Sequence, residues 1–203
     1  MTQLEICNTA LLDIGAHKTD AVGDGSVEGD LCEDYWDIIR REVLSSHTWN
    51  FAKKWAELTE SAGYTFVDSE WSYAYDLPAD LLKMSRMETK ATKYVIREDN
   101  LLCNLDECKV EYIFDETTTA NYPAHFITAL VFRLGIAFYP KLISNKIDRA
   151  AELMKYYALL DRMKKQDAIQ TKPHEINELQ HTNATDSWLI ARGVSSDNIT
   201  SSV

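Results

Sequence analysis

Positive charge is scarce in this sequence of 203 residues. Lysine and arginine together number 21, against 32 aspartate and glutamate residues, which gives a formal net charge of −11. Proteins that bind nucleic acids tightly use lysine and arginine to displace the counterions of the phosphates. The acidic balance therefore excludes tight nucleic-acid binding, although it permits DNA to pass the protein without adhering to it.

A long hydrophobic run is also missing. The most apolar stretch, HFITALVFRLGIAFY at residues 125–139, contains Arg133 and is shorter than the roughly 20 residues that cross a bilayer. The first residues, MTQLEICNTALLDIG, have no basic start and include Glu5 and Asp13, unlike a secretory signal peptide. We therefore expect synthesis in a reducing cytoplasm and no contact with a membrane.

Cysteine and histidine are few and scattered. The 4 cysteines, Cys7, Cys32, Cys103 and Cys108, form no C-x-x-C pair, and the 5 histidines do not cluster beside them. In a reducing compartment these cysteines are free thiols, and their spacing does not fit a zinc site. Nucleophile-elbow, P-loop and dinucleotide-binding motifs are absent as well. The sequence predicts no metal, no cofactor and no enzymatic activity.

Apolar residues recur at helical spacing in four segments. The first helix spans residues 2–14 with Thr2 as its cap, and the second begins at Ser26. The third follows Pro123, and the fourth covers residues 147–170. The expected buried sides are Leu31, Tyr35, Ile38, Ile39 and Val43 in the second helix, and Ala150, Leu153, Met154, Tyr157, Leu160 and Met163 in the fourth.

Aromatic and polar residues alternate in the middle of the chain, in GYTFVDSEWSYAYDLP and CKVEYIFDE. This period is typical of β-strands. The expected fold class is α+β, mainly α: a helical bundle with a small inserted antiparallel β module. Its parts are the N-terminal helices of the bundle at 1–58, the β module at 59–116, the C-terminal helices of the bundle at 117–170 and an extended polar C-terminal arm at 171–203.

The segment SSHTWNFAKKWAEL at residues 45–58 is crowded with aromatic residues. Trp49, Phe51 and Trp55 could stack on a ligand, but aromatic side chains at the boundary of an element serve mostly in packing. The two lysines between them do not make a basic patch. The favoured interpretation is that these rings cover the exit of the second helix.

Two aspartates, Asp76 and Asp80, flank the sequence LPA. A carboxylate pair can perform acid–base chemistry, for example in a small glycan hydrolase. However, no histidine or nucleophile lies beside them in the sequence. A strand end followed by a proline-led turn, with Asp80 capping the next turn, explains both residues better.

The order of these features resembles the tail tubular protein A family, the head-to-tail adaptors of short-tailed bacteriophages. The resemblance covers residues 4–169 and rests on EICNTALLDIGA, CEDYWDIIRREVLSSHTWNFAKKWAEL, YAYDLPAD and VEYIF. Its most specific part is the pattern R-x-x-L-x-x-H-x-W-N-F-A, which begins at Arg41. This pattern consists of spaced apolar and aromatic residues and contains no catalytic signature.

The resemblance implies a structural virion protein of the viral tail at the portal vertex. Family members assemble as a ring, usually a dodecamer, between the portal protein and the tail nozzle protein, and genome DNA passes through the central channel. The expected partners are therefore other copies of the chain, the portal and the nozzle, with no specific DNA binding. The fold that it implies is similar to the one expected from the residues, a helical bundle with a small β module.

Two sets of residues are candidates for roles in such a ring. Acidic side chains that line a channel repel the phosphates of passing DNA. The candidates for subunit or portal interfaces are Trp49, Phe51, Trp55, Trp188, Leu189 and Ile190, and the candidates for the channel lining are Glu28, Asp30, Glu33, Asp34 and Asp37 of the second helix.

Other functions remain open at this point. The acidic residues of the second helix form a solvated outer face equally well. The chain also fits another head-completion connector or tail component, the hydrolase described above, or an oligomeric binding module of the cytoplasm unrelated to phages.

Overall fold

In the described part of the chain, four α-helices and six short β-strands make up the fold. The computed structural model describes residues 1–66, 70–89, 93–143 and 148–170. The chain divides into two units, Met1–Ala168 and Ile169–Val203, and the described elements lie in the first, apart from the end of the last helix. The predicted C-terminal arm at 171–203 lies outside the described residues. The helices are α1 (Gln3–Asp13), α2 (Val27–Ser45), α3 (Ala124–Leu142) and α4 (Arg149–Ile169).

Capping residues set the starts of α1 and α2 as the sequence predicts. The Thr2 hydroxyl accepts a hydrogen bond from the Glu5 backbone N–H, and the Glu5 carboxylate accepts one from the Thr2 N–H, which makes a complete capping box. The Ser26 hydroxyl accepts from the Gly29 N–H in the same way. Gly15 follows α1 with a φ of 80°, a conformation that favours glycine. Both predicted helix starts are confirmed.

The four helices share one hydrophobic core. From α4, Tyr156, Leu160 and Met163 enter this core. The predicted buried sides of α2 and α4 are partly wrong. In α2 the side chain of Ile38 is 64% exposed, and in α4 Met154 is 73% and Tyr157 is 60% exposed. The rings of the nearby residues Trp36 and Tyr156 are buried in the core instead.

The described strands form two antiparallel sheets of three strands each, whereas the sequence predicts one sheet. The strand order is β1-β6-β3 in the first sheet and β2-β5-β4 in the second. The second hydrophobic cluster, which includes Leu58, Tyr75 and Val110, draws on both sheets. The strands are β1 (Lys53–Glu57), β2 (Tyr73–Asp76), β3 (Leu81–Met87), β4 (Tyr94–Arg97), β5 (Asn100–Cys103) and β6 (Lys109–Phe114).

Strand β1 begins at Lys53, inside the segment predicted as N-terminal helices at 1–58. The segment KKWAE is too short and too polar to show a strand period, and its pairing with β6 is what makes it a strand. The chain is therefore mixed α+β, as predicted. The finer prediction of a mainly helical bundle is not confirmed.

A buried guanidinium joins α2 to the end of β6. The Arg40 side chain is 1% exposed, and it donates hydrogen bonds to the Asp115 carboxylate, to the Glu116 carbonyl at 2.9 Å and to the Asp37 carboxylate at 3.0 Å. The neighbouring Arg41 reaches the other oxygen of Asp115 at 2.9 Å, but its side chain is 57% exposed. The two arginines therefore share a partner and differ in burial.

Replacing each arginine by alanine separates the effect of burial from the effect of charge. We expect Arg40→Ala to lower the free energy of unfolding by about 3 kcal/mol, because Asp115 and the Glu116 carbonyl lose a buried partner. Arg41→Ala, the matched control, should cost less than about 1 kcal/mol, since exposed ion pairs contribute little. Urea unfolding at pH 7 measures both values, and equal losses would contradict this account.

Candidate functional site

The segment that carries the resemblance forms the joint between α2 and β1. It contains Trp49, which is fully buried, and the short 3-10 helix Asn50–Ala52. The indole N–H of Trp49 donates to the carbonyl of Val43 at 2.9 Å, which ties the joint back to the end of α2. The Trp49 ring lies between other rings, with centroid distances of 5.0 to 6.5 Å to His47, Phe51, His125 and Phe126.

A buried carboxylate, Asp167 of α4, holds this joint in place. Its side chain is 2% exposed. The carboxylate accepts the backbone N–H of Asn50 at 3.1 Å, and the Asn50 amide group donates to the Asp167 carbonyl at 2.7 Å. The Lys53 ammonium in turn donates to the Asn50 side-chain oxygen at 2.9 Å. The side chain of each residue is therefore hydrogen-bonded to the backbone of the other.

Two imidazoles complete the surroundings of Asp167. His125 Nε2 lies 3.2 Å from one carboxylate oxygen, and His47 Nε2 lies 3.5 Å from the other. Burial lowers the pKa of His47 below 6.5, and Lys164 and Lys53 act in the same direction, against the attraction of Asp167. With its oxygens engaged and its side chain buried, Asp167 is suited to anchoring the chain and not to proton transfer with a substrate. We call Asp167, His47, Asn50 and His125 the Asp167 clasp.

The three aromatic interface candidates of this segment lie at different depths. Trp49 has no exposed surface, so it packs within the chain and cannot contact a neighbouring subunit. Phe51 is half-buried, and its ring packs against Phe126 at a centroid distance of 4.9 Å. Trp55 on β1 is 49% exposed, with the Arg86 guanidinium 5.3 Å from its ring centroid. The other three predicted interface residues, Trp188, Leu189 and Ile190, lie outside the described residues.

The predicted channel residues lie on the outward side of α2. Glu28 is half-buried, and Asp30, Glu33, Asp34 and Asp37 are exposed. Among the described residues, the only ion pair that these acids form joins Asp37 to Arg40. Two exposed apolar side chains flank the row of acids, Val27 before it at 60% and Ile38 after it at 64% exposure. We call Val27, Asp30, Glu33, Asp34, Asp37 and Ile38 the acidic α2 face.

The outward side of α4 has the opposite charge. Besides the exposed Met154 and Tyr157, it presents two cations, Arg162 and Lys165, and one acid, Asp161, so its net charge is positive. Helical spacing places the two apolar residues and the two cations on one side of the helix, away from the buried Tyr156. We call Met154, Tyr157, Arg162 and Lys165 the basic α4 face.

The two aspartates weighed as a carboxylate pair lie on different elements. Asp76 ends β2, whereas Asp80 precedes β3 in the other sheet. Burial would raise the pKa of Asp80, but hydrogen bonds from Lys54 and from the Tyr112 hydroxyl, both at 2.9 Å, keep it below its usual 3.8. Asp80 is thus held as a carboxylate by structural partners, which does not favour a general acid.

A groove of about 480 Å³ lies between α1, α3 and α4. Its volume falls within the range of small-molecule sites, but the described residues of its lining include no histidine, cysteine, serine or lysine. Within the described residues, no group of three metal-ligating side chains lies together. Nor does that part of the chain contain a helix with the length and apolarity to cross a membrane. The groove is lined by Asp13, Ile14, Val131, Phe132, Gly135, Ile136, Tyr139 and Glu152.

Comparison with models of known protein families and with curated proteins found no match. The family resemblance therefore stays an expectation.

Sequence reasoning missed Asp167 and His125 as members of a site. One signal was available for Asp167: it continues the buried series Tyr156, Leu160 and Met163 at helical spacing, so a carboxylate stands where an apolar side chain is expected. A charged residue at such a position is almost always paired. Its partners are far from it in the sequence, so no local sequence pattern identifies them.

The Asp167→Asn variant tests whether the clasp holds the fold. We expect it to lower the free energy of unfolding by about 2 kcal/mol, because hydrogen bonds to a charged acceptor are worth more than those to a neutral one. The matched control is Asp161→Asn on the exposed side of the same helix, which should change stability by less than about 0.5 kcal/mol. Chemical denaturation measures both. An Asp167→Asn variant with an unchanged free energy of unfolding would show that the clasp does not stabilise the fold.

The lowered pKa of His47 predicts a pH dependence of stability. The unfolded chain, with an ordinary pKa of 6.5, binds a proton at His47 more readily than the folded chain does. Stability contributed by the neutral imidazole is therefore present above pH 6.5 and is lost as the pH falls below it. We expect the free energy of unfolding to decrease between pH 7 and about pH 5, and His47→Gln to reduce this decrease. His17→Gln, an exposed control, should leave it unchanged; identical pH curves for all three chains would contradict the assignment.

Proposed function

We propose that this protein is a structural virion protein, a head-to-tail adaptor that forms a ring between the portal and the tail nozzle. Genome DNA passes through the ring without specific binding. The chain is made in the host cytoplasm and becomes part of the virion tail at the portal vertex. The ring contains twelve copies in the family that the sequence resembles, and we adopt that number.

The observation that carries the proposal is the role of the motif residues. In R-x-x-L-x-x-H-x-W-N-F-A, His47 and Asn50 belong to the Asp167 clasp, and Trp49 fills the core beside it. The most specific part of the resemblance therefore fixes how the helices meet the sheet and provides no reaction centre. A subunit that carries load in a ring requires such a fixed joint between its two parts.

The charge of the chain also supports an adaptor. With a net charge of −11, the protein repels phosphates over most approaches, so DNA in a central channel meets no strong attraction. In the proposed ring, the four helices around their common core form the bundle part of each subunit, and the sheets form the β module.

The C-terminal arm gives the proposal a second element. Residues 171–203 are polar, and their apolar side chains concentrate at Trp188, Leu189 and Ile190. Segments of this composition bury too little apolar surface to fold alone and commonly order on a partner. We propose that these three residues anchor the arm on the portal or on the next subunit.

Mixing the purified chain with portal rings of the same phage tests the function. We expect the chain to co-sediment with the portal and to add a ring-shaped layer in negative-stain images. A chain truncated after residue 170 should keep its folded helices and sheets and lose this binding. A full-length chain with Trp188→Ala, Leu189→Ala and Ile190→Ala should behave like the truncated one.

The outcomes separate the proposal from its rivals. A full-length chain that binds the tail nozzle and never the portal would favour a tail component. Normal attachment of the truncated chain to portals would refute the anchoring role of the arm and leave the adaptor function intact. A chain that binds neither portal nor nozzle would refute the adaptor function.

A further inference from the structure

Two outward helix faces of this chain have opposite charge and share another property: each exposes large apolar side chains. The acidic α2 face exposes Val27 and Ile38 by 60% and 64%. The basic α4 face exposes Met154 and Tyr157 by 73% and 60%. Met154 and Tyr157 lie one helical turn apart, and Val27 and Ile38 lie at the two ends of the acidic row. Single exposed apolar residues are ordinary, but several beside charges of one predominant sign suit a contact surface.

We propose that the acidic α2 face of one copy binds the basic α4 face of the next copy. This inference rests on the proposed ring and names the surfaces that build it. Contact would remove Ile38 and Met154 from water, and the carboxylates at Glu33 and Asp34 would meet the cations at Arg162 and Lys165. A second copy is the occupant that the charges fit, since one chain presents both complementary faces.

Such a contact links copies head to tail. The two faces lie on different helices, so each copy uses one face for the neighbour before it and the other for the neighbour after it. Such heterologous contacts propagate until the rotation closes a ring, or continue as a filament if it does not close. A contact of one face with itself would give a dimer, and like charges on each face oppose that arrangement.

The contact also changes the role of the predicted channel residues. A channel wall that repels DNA needs carboxylates and gains nothing from Val27 and Ile38, whereas a subunit contact uses both. Under this inference Glu33, Asp34 and Asp37 face a neighbouring α4 and not the channel. Salt should weaken the contact because the charged part is screened within about 10 Å at 0.1 M ionic strength.

Charge reversal on the full chain tests the pairing. The first variant carries Glu33→Lys and Asp34→Lys, and the second carries Arg162→Glu and Lys165→Glu; all four positions are exposed. Each variant alone should self-associate at least about 10-fold more weakly than the original chain. Mixed in equal amounts they should associate again, because the unchanged α4 face of the first variant fits the unchanged α2 face of the second, and the two reversed faces fit each other. Light scattering and native mass spectrometry measure the assemblies.

Matched controls exclude effects of net charge alone. Asp106→Lys with Glu107→Lys, and Lys18→Glu with Lys141→Glu, change the charge equally at exposed positions of other elements. These controls should assemble like the original chain, and circular dichroism of every variant should show a folded protein. A neutral variant, Ile38→Ala with Met154→Ala, should weaken association without changing its dependence on salt.

Several results would overturn the pairing. Reversed variants that assemble like the original chain would show that other surfaces build the ring. Failure of the mixture to recover association would refute the complementarity of these two faces, as would an original chain that remains monomeric up to about 1 mM. Portal binding is measured separately. If self-association does not use these faces but portal binding is normal, the pairing is refuted and the proposed function is not. Intact self-association without portal or nozzle binding would refute the function alone.

Discussion

The burial of one carboxylate constrains the rest of this structure. A carboxylate removed from water costs several kcal/mol unless charged or polar partners replace its hydration. Asp167 finds these partners in Asn50, His125 and His47, which come from the segment after α2 and from the start of α3. Because all of them must meet at one point, the direction in which β1 leaves the helices is fixed. Arg40 imposes the same kind of constraint at the same end of the sheet, through Asp115 after β6, because the start of β1 pairs with the end of β6.

Local features of the fold were predictable from the sequence because their causes are local. The starts of α1 and α2 follow from Thr2 with Glu5 and from Ser26, whose side chains bond to backbone groups within three residues. The Asp167 clasp was not predictable in this way. Asn50 and Asp167 are 117 positions apart in the chain, and no spacing rule relates such residues. Strand β1 likewise exists because β6 lies beside it, and its own sequence carries no strand period.

The errors in the predicted buried sides are informative about the surface. Both α2 and α4 carry apolar side chains over a wider arc than one core can cover, so the sequence alone does not decide which edge of the arc is buried. In α4 Tyr156 is buried in the core, whereas Tyr157, the next residue, is 60% exposed. In α2 Trp36 is buried and Ile38 is exposed. The apolar residues that the core leaves out are those that a neighbouring chain can still cover.

Self-assembly of an acidic chain meets an electrostatic difficulty that the distribution of charge resolves. Copies with a net charge of −11 repel one another, and the repulsion grows with every copy added to a ring. A contact between two acidic surfaces would add to that cost, so cations must be concentrated at the contact. The basic α4 face does this with Arg162 and Lys165, while most of the remaining charge stays negative and free to repel DNA. One chain can therefore attract its neighbours at short range and still repel a polyanion that passes at a distance.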